Sequence, residues 1–163
     1  MLGAEQSGHI TAVGFELYCQ LLQQSVGALK GEVIKPRVEV RVDLDFLADA
    51  AVLPESYVTE PHHRIEIYRK LAQAVDQPLL EALRREVRDR FGPLPVPVDL
   101  LLAVAELKLL AAGKNVTSIE VETDKLKVMR NRDFVTLGGK FPRLTKKDNK
   151  GRLKEIKRLL LAL

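Results

Sequence analysis

The sequence predicts an α+β fold in which helices pack on a small, mostly antiparallel sheet, preceded by a separate N-terminal loop and helix. Three observations predict it. Apolar residues recur at helical spacing in several long segments. They alternate at period two near residue 40 and form three short β-rich runs between residues 118 and 137. Gly or Pro punctuates most of the junctions. With 163 residues the chain can bury one real core and carry a short attached segment. Aromatics are only 5% and Trp is absent, so the core is aliphatic.

Residues 1–13 carry Gly, Ser and Thr without periodicity and read as a loop. Gly14 to about Ala28 reads as a helix, with Phe15, Tyr18, Cys19, Leu22 and Val26 on one face. Gly27 and Gly31 weaken and end it, and Gly31 to Pro36 reads as a hinge. Val38, Val40, Val42 and Leu44 alternate with polar residues, which predicts a strand with one wet face. A helix follows from about His62 to Val75, with Ile65, Tyr68, Leu71, Ala72 and Val75 inward. Asp76 and Pro78 separate it from a helix running to Phe91, with Leu79, Leu80, Leu83, Val87 and Phe91 inward. Gly92-Pro93 stops that helix. A helix over Val96 to Ala112 is apolar on most sides and is expected to be central. Ser118–Glu122, Leu126–Arg130 and Phe134–Leu137 predict a β-meander, with turns at Asp124-Lys125 and Asn131-Arg132. A last helix spans about Lys150 to Leu163, with Leu153, Ile156, Leu159, Leu160 and Leu163 inward. The domain reading is 1–31 for the attached segment and 32–163 for the globular module.

Composition excludes several classes of function. The single cysteine, Cys19, allows no intrachain disulfide and fits a reducing compartment. The first ten residues lack the basic and apolar parts of a secretory signal, and no apolar run approaches a membrane span. The net charge of +4 is uneven: residues 32–66 hold eight acidic and four basic side chains, residues 141–163 eight basic and two acidic. The basic end fits either a solvated helix face or a surface for nucleic acid or an acidic partner.

Catalytic and metal motifs are missing. Gly113-Lys114 lacks the upstream glycine of a phosphate loop, and there is no dinucleotide fingerprint. His62 and His63 are adjacent, and neighbours on a helix diverge by about 100°, so no shared metal is expected; no metal site is predicted. Cys19 on an apolar face reads as a small core residue. Glu120 and Glu122, followed by Lys125 and Lys127, read as cross-strand ion pairs rather than an acid/base pair.

One constellation stands out. Glu86, Asp89 and Arg90 sit at i, i+3 and i+4, on one helix face beside the apolar stripe of Leu83, Val87 and Phe91. Read structurally, they are a helix end with an internal Glu86–Arg90 pair worth about 0.3–0.5 kcal/mol. Arg90 suits the dipole of a helix C-terminus, but Asp89 opposes it. A docking surface at the rim of an apolar stripe is one reason for an acid to stand there.

The run from Glu86 to Pro95, with Asp89-Arg90-Phe91-Gly92-Pro93, resembles the E-L-x-D-R-F-G-P-L-P signature of the C-terminal domain of bacterial transcription-repair coupling factors (Mfd). Pro54 to Val58, followed by Arg64, Ile65, Tyr68 and Leu71, resembles a second pattern of that domain. Leu2 to Ile10, followed by Val13 to Tyr18, resembles the end of the translocation motif shared by Mfd and RecG. These motifs fall in order within residues 1–110; residues 115–163 are less distinctive. The family usually carries an aromatic where this chain has Ala50-Ala51-Val52-Leu53-Pro54, and Ile where it has Val58.

The resemblance implies a regulatory fragment of a superfamily-two DNA translocase of nucleotide excision repair, cytoplasmic and bacterial. The family's motor displaces stalled RNA polymerase from damaged duplex DNA and recruits UvrA. Residues 1–31 would be the end of the translocation motif and the hook helix, with Gln6, Ser7 and Gly8 in the coupling segment. Residues 32–163 would be an autoinhibitory domain that packs through Glu86, Asp89 and Arg90 on the N-terminal UvrB-like module and masks the surface UvrA needs. ATP and Mg would belong to motor lobes that this chain lacks, so the fragment is expected to be no enzyme and to hold no cofactor. The alternative is a basic nucleic-acid-binding module using Arg143 to Arg158, for which only Phe141 offers stacking.

Overall fold

The computed structural model describes residues 39–163. The helix over Gly14 to Ala28, the hinge at Gly31 to Pro36 and the coupling residues Gln6, Ser7 and Gly8 lie outside them. Among the described residues the elements are β1 (Arg41–Leu44), α1 (Pro61–Gln73), α2 (Gln77–Phe91), α3 (Val96–Gly113), β2 (Val116–Glu122), β3 (Lys125–Arg130), β4 (Asp133–Phe134) and α4 (Asn149–Ala162). The α+β class is as expected.

These residues cluster into two compact units, one formed by 49–102 and the other by 39–48 with 103–163. Sequence reading treated 32–163 as one module. The division follows from topology. The strands lie in the order β1-β2-β3-β4. β1 pairs with β2 in parallel, whereas β2–β3 and β3–β4 are antiparallel. A parallel neighbour requires a crossover, and residues 49–102 of the stretch between β1 and β2 build the first unit.

In the first unit, Leu53, Val58, Ile67, Tyr68, Leu71, Leu80, Leu83, Val87 and Val98 are buried. Tyr68 is buried with them, and its hydroxyl accepts the Leu53 N–H at 3.2 Å, so the polar end is satisfied. α1 starts at Pro61, which needs no N–H partner there. It stops at Gln73 because Ala74 turns extended, short of the predicted Val75. α2 is capped by Asp76, whose carboxylate accepts the Leu79 N–H at 2.9 Å. Three apolar residues expected inward are exposed instead: Ile65, Val75 and Leu79. Val75 falls in the connection, and Leu79 lies one step round the helix from the buried Leu80, so a single apolar stripe could not hold both.

In the second unit, alternate residues of the sheet face its core: Val116, Ile119 and Val121 from β2, Leu126 and Val128 from β3. The register break between Val116 and Ser118 is a β-bulge. α4 adds Leu153, Ile156 and Leu160 to the buried set; Leu159 and Leu163, expected inward too, are only half-buried. The meander appears with small shifts. The first turn falls on Thr123-Asp124 rather than Asp124-Lys125. The second is Asn131-Arg132, both at positive φ, as a two-residue hairpin that follows strand twist requires. β4 is shorter than the predicted Phe134–Leu137, although the Val135 N–H still donates to Val128 O at 2.8 Å. Residues 97–112 of α3 are all buried or half-buried, as its all-round apolarity required.

Candidate functional site

α1 and α2 are joined by a three-residue connection and form an antiparallel helical hairpin. On its surface four charged side chains close a ring. The Lys70 ammonium donates to both carboxylate oxygens of Glu86 at 2.8 Å and lies 3.2 Å from Glu66. The Arg90 guanidinium donates to Glu66 at 3.1 Å and to Glu86 at 3.3 Å. Glu66–Lys70 and Glu86–Arg90 are each i, i+4 pairs, and the antiparallel pairing sets acid against base across the hairpin. These side chains are between 27% and 36% exposed, which screens the pairs but leaves a closed network rather than isolated contacts.

The electrostatics follow the geometry. Bonds from Arg90 and then Lys70 hold the Glu66 carboxyl below the usual carboxylate range. The Glu86 bond raises the Lys70 ammonium above the usual lysine range, and the Glu66 bond raises Arg90 likewise. Glu66 therefore adds stability at neutral pH that is lost as pH falls through its depressed folded value. Lys70 adds stability that is present below its unfolded value and lost as pH rises through the raised folded one.

The corner that follows is built just as closely. Gly92 caps α2 with φ at 97° and ψ at −173°, a backbone region that L side chains avoid, and its N–H donates to Arg88 O at 2.9 Å. The Tyr57 hydroxyl donates to Gly92 O at 2.6 Å. The Phe91 ring lies 6.0 Å from Tyr57 and 5.8 Å from His63, with the Arg90 guanidinium 4.9 Å from its centroid. Arg90, Phe91 and Gly92 of the signature thus have a structural job: they anchor the end of α2. His62 and His63 were expected to diverge, yet their ring centroids are 4.2 Å apart, since side-chain torsions bring together what the backbone spreads. Among the described residues no three potential ligands gather around a metal-sized point.

Glu86, Asp89 and Arg90 meet different fates. Glu86 and Arg90 are bonded within the hairpin. Asp89 is exposed, and no bond to it is recorded among the described residues. Along α2, Leu79, Ala82, Glu86 and Asp89 fall at i, i+3, i+7 and i+10, one face of the helix. Leu79 on that face is 47% exposed. Sequence reasoning missed Glu66, Lys70 and Tyr57. The signal for the first two was available: an i, i+4 acid–base pair in each of two helices joined by a short connection. On the sheet, Glu120 sits opposite Lys127 and Glu122 opposite Lys125, with Lys127 3.7 Å from Glu122, as the alternation suggested.

Comparison with known proteins places this arrangement. The model of the TRCF domain matches residues 47–136. The transcription-repair-coupling factor of Myxococcus xanthus is 33% identical over 147 residues, covering 90% of this chain and 12% of that protein. The Haemophilus influenzae transcription-repair-coupling factor is 39% identical over 127 residues, covering 76% of this chain and 11% of that protein. A crystal structure of the C-terminal domain of transcription-repair coupling factor shares the fold, with a TM-score of 0.62 at 23% identity, over 80% of this chain and 96% of that one. The chain thus spans 11% to 12% of the length of these two relatives. Among the described residues no helix is long and apolar enough to cross a membrane. With the family model matched over more than half its length, this chain belongs to the TRCF domain family of transcription-repair coupling factors.

Proposed function

We propose that this domain regulates the longer factor by docking on its N-terminal UvrB-like module, masking the UvrA-binding surface and restraining an ATP-dependent DNA translocase. The chemistry of ATP and Mg belongs to motor lobes elsewhere in that protein, together with RNA polymerase displacement on duplex DNA in the bacterial cytoplasm. This domain contributes contacts, not catalysis. Gln6, Ser7 and Gly8 belong to the coupling segment of the motor.

The observation that carries the reading is Asp89. Its carboxylate stands exposed in the last turn of α2, where the helix dipole disfavours an acid, with no bonding partner among the described residues. It shares a helix face with the exposed Leu79, so an apolar contact and an unmatched acid face the same way. An arginine on the docked module would complete it with a short, charge-assisted bond. Glu86 and Arg90 act differently from Asp89: the ring with Glu66 and Lys70 fixes the face and leaves Glu86 only a partial share in the contact.

Charge reversal tests this. In the full-length factor, Asp89→Arg is expected to raise UvrA binding above its basal level, while the isolated domain keeps its stability. UvrA binding that stays basal would remove the proposed interface. Glu86→Arg is the less clean variant, since it also opens the ring.

A further inference from the structure

We infer that the outer face of the sheet, where β3 meets β4, is a docking site for an acidic peptide segment that carries a large apolar side chain. The site lies within the second unit and is independent of Asp89 and the docking reading. β3 buries Leu126 and Val128, so Lys125, Lys127 and Met129 face the other way. Phe134 pairs with Met129 and Arg143 bridges to Lys125, and residues opposite one another across a ladder share a face. Phe134 meets Phe141 edge to face, with ring centroids 5.3 Å apart. The ammonium groups of Lys125 and Lys127 each lie 5.8 Å from the centre of the Phe141 ring.

The chain builds this feature by leaving the sheet. The Val135 N–H donates to Val128 O at 2.8 Å, and the Leu126 N–H donates to Pro142 O at 2.9 Å. Only Lys127 separates these two points on β3, whereas residues 136–141 separate them on the returning chain. The excess folds outward as a tight turn. Leu137 and Lys140 exchange backbone bonds at 2.8 and 3.1 Å, with Gly138 and Gly139 between them at φ 59° and 78°. Extra residues on a sheet edge re-aim side chains. Here they add nothing to the core: residues 136–140 are all exposed, Leu137 at 60%, and Phe134 at the base of the excursion is 46% exposed. Single apolar residues on a surface are ordinary. Two rings and a leucine gathered on one excursion make a patch, and patches mark contact sites.

Charge decides what the patch fits. Residues 125–143 hold six basic side chains and one acidic, Asp133, a net of +5 where the whole chain carries +4. The fold occupies some of these cations. Arg143 pairs with Asp124 at 2.6 Å, Arg130 donates to Lys114 O at 2.9 Å, and Lys127 lies 3.7 Å from Glu122. Among the described residues no carboxylate is recorded against Lys125, Arg132 or Lys140, and the last two are exposed. An apolar centre with a rim of cations complements an apolar anchor flanked by carboxylates, the centre giving affinity and the rim steering and selecting. A second copy of the same face would set like charges against like. A single nucleic-acid strand needs open ring faces for its bases. The two rings instead meet edge to face, ammonium groups lie over Phe141, and Leu137 has no ring to offer.

Fluorescence anisotropy of the 163-residue chain tests the assignment. The probe is a fluorescein-labelled twelve-residue peptide with Phe-Leu at its centre and five glutamates on either side, in 50 mM KCl. Saturable binding is expected. Leu137→Ser removes the apolar anchor and Lys140→Glu reverses a rim charge; each should weaken binding by at least about fivefold. Circular dichroism checks that both variants fold. Lys154→Ala/Arg158→Ala, on α4, should leave the affinity unchanged. Absence of saturable binding up to 1 mM chain overturns the proposal, as does unchanged affinity in either patch variant. Equal binding of a peptide with Ser-Ser at its centre, or a loss in the α4 variant as large as that of Lys140→Glu, would show that net charge alone governs and would overturn it too. Tighter binding of a labelled twelve-base oligothymidylate would mark a nucleic-acid surface instead.

Discussion

The α1–α2 hairpin and α4 use the same residue types to opposite ends. On the hairpin, Glu66, Lys70, Glu86 and Arg90 neutralise one another in a closed ring. On α4, the carboxylates of Asp148 and Glu155 turn to backbone N–H groups, and Lys154 and Arg158 face outward. Charge at helical spacing therefore does not announce its own role. What decides it is where the acids go. Among the described residues that leaves one unmatched acid in the hairpin, Asp89; on α4 it leaves Lys154 and Arg158 exposed.

Mutations sharpen this contrast, from the largest effect to the smallest. Gly92→Ala should destabilise the domain by about 1–3 kcal/mol, because the added Cβ has open space but the backbone conformation is strained. Urea unfolding reads it directly. Glu155→Gln should cost about 1 kcal/mol, since a charged acceptor of backbone N–H groups becomes a neutral one. Burial pushes the Glu155 carboxyl up, but the bonds from Thr145 and Lys146 outweigh it and hold the folded value below the usual range. Its contribution is accordingly present at neutral pH and lost as pH falls through that depressed value, so the gap between Glu155→Gln and the parent chain should close in acid.

In the hairpin, a double-mutant cycle on Lys70→Ala and Glu86→Ala should give a coupling of about 0.5–1 kcal/mol that shrinks in 1 M salt. Glu66→Gln should weaken the ring most at neutral pH and make no difference once pH is low enough to protonate Glu66 in the folded chain. The smallest effects belong to the outward groups. Asp89→Ala and Lys154→Ala/Arg158→Ala should each change stability by no more than about 0.5 kcal/mol. A large loss in either would show that these side chains serve the fold.

The sequence made most of the elements legible because periodicity and punctuation agreed. Gly92-Pro93 marked the end of α2, and Asn131-Arg132 marked a turn, each for reasons visible in residue type. The parallel pairing of β1 with β2 was not legible, since period two says nothing of strand direction, and the division into two units follows from that pairing. Leu79, Ile65 and Val75 were misassigned to the core because apolar character alone does not tell a buried stripe from an exposed flank. At the site, helical spacing brought Glu86, Asp89 and Arg90 to one face correctly. It could not show that Glu86 and Arg90 bond to Glu66 and Lys70, since those partners come from another helix. Asp89 was already the odd residue, an acid at the wrong end of a helix, and it is the one left outward.

The most direct test of the account asks whether Asp89 is covered in the longer protein. With Asp89→Cys in a Cys19→Ser background, alkylation by a maleimide would be followed by mass spectrometry of the peptide that holds position 89. The rate should be fast in the isolated chain and at least tenfold slower in the full-length factor, and UvrA-independent release of the domain should restore it. Equal rates in the two proteins would contradict the docking of this face.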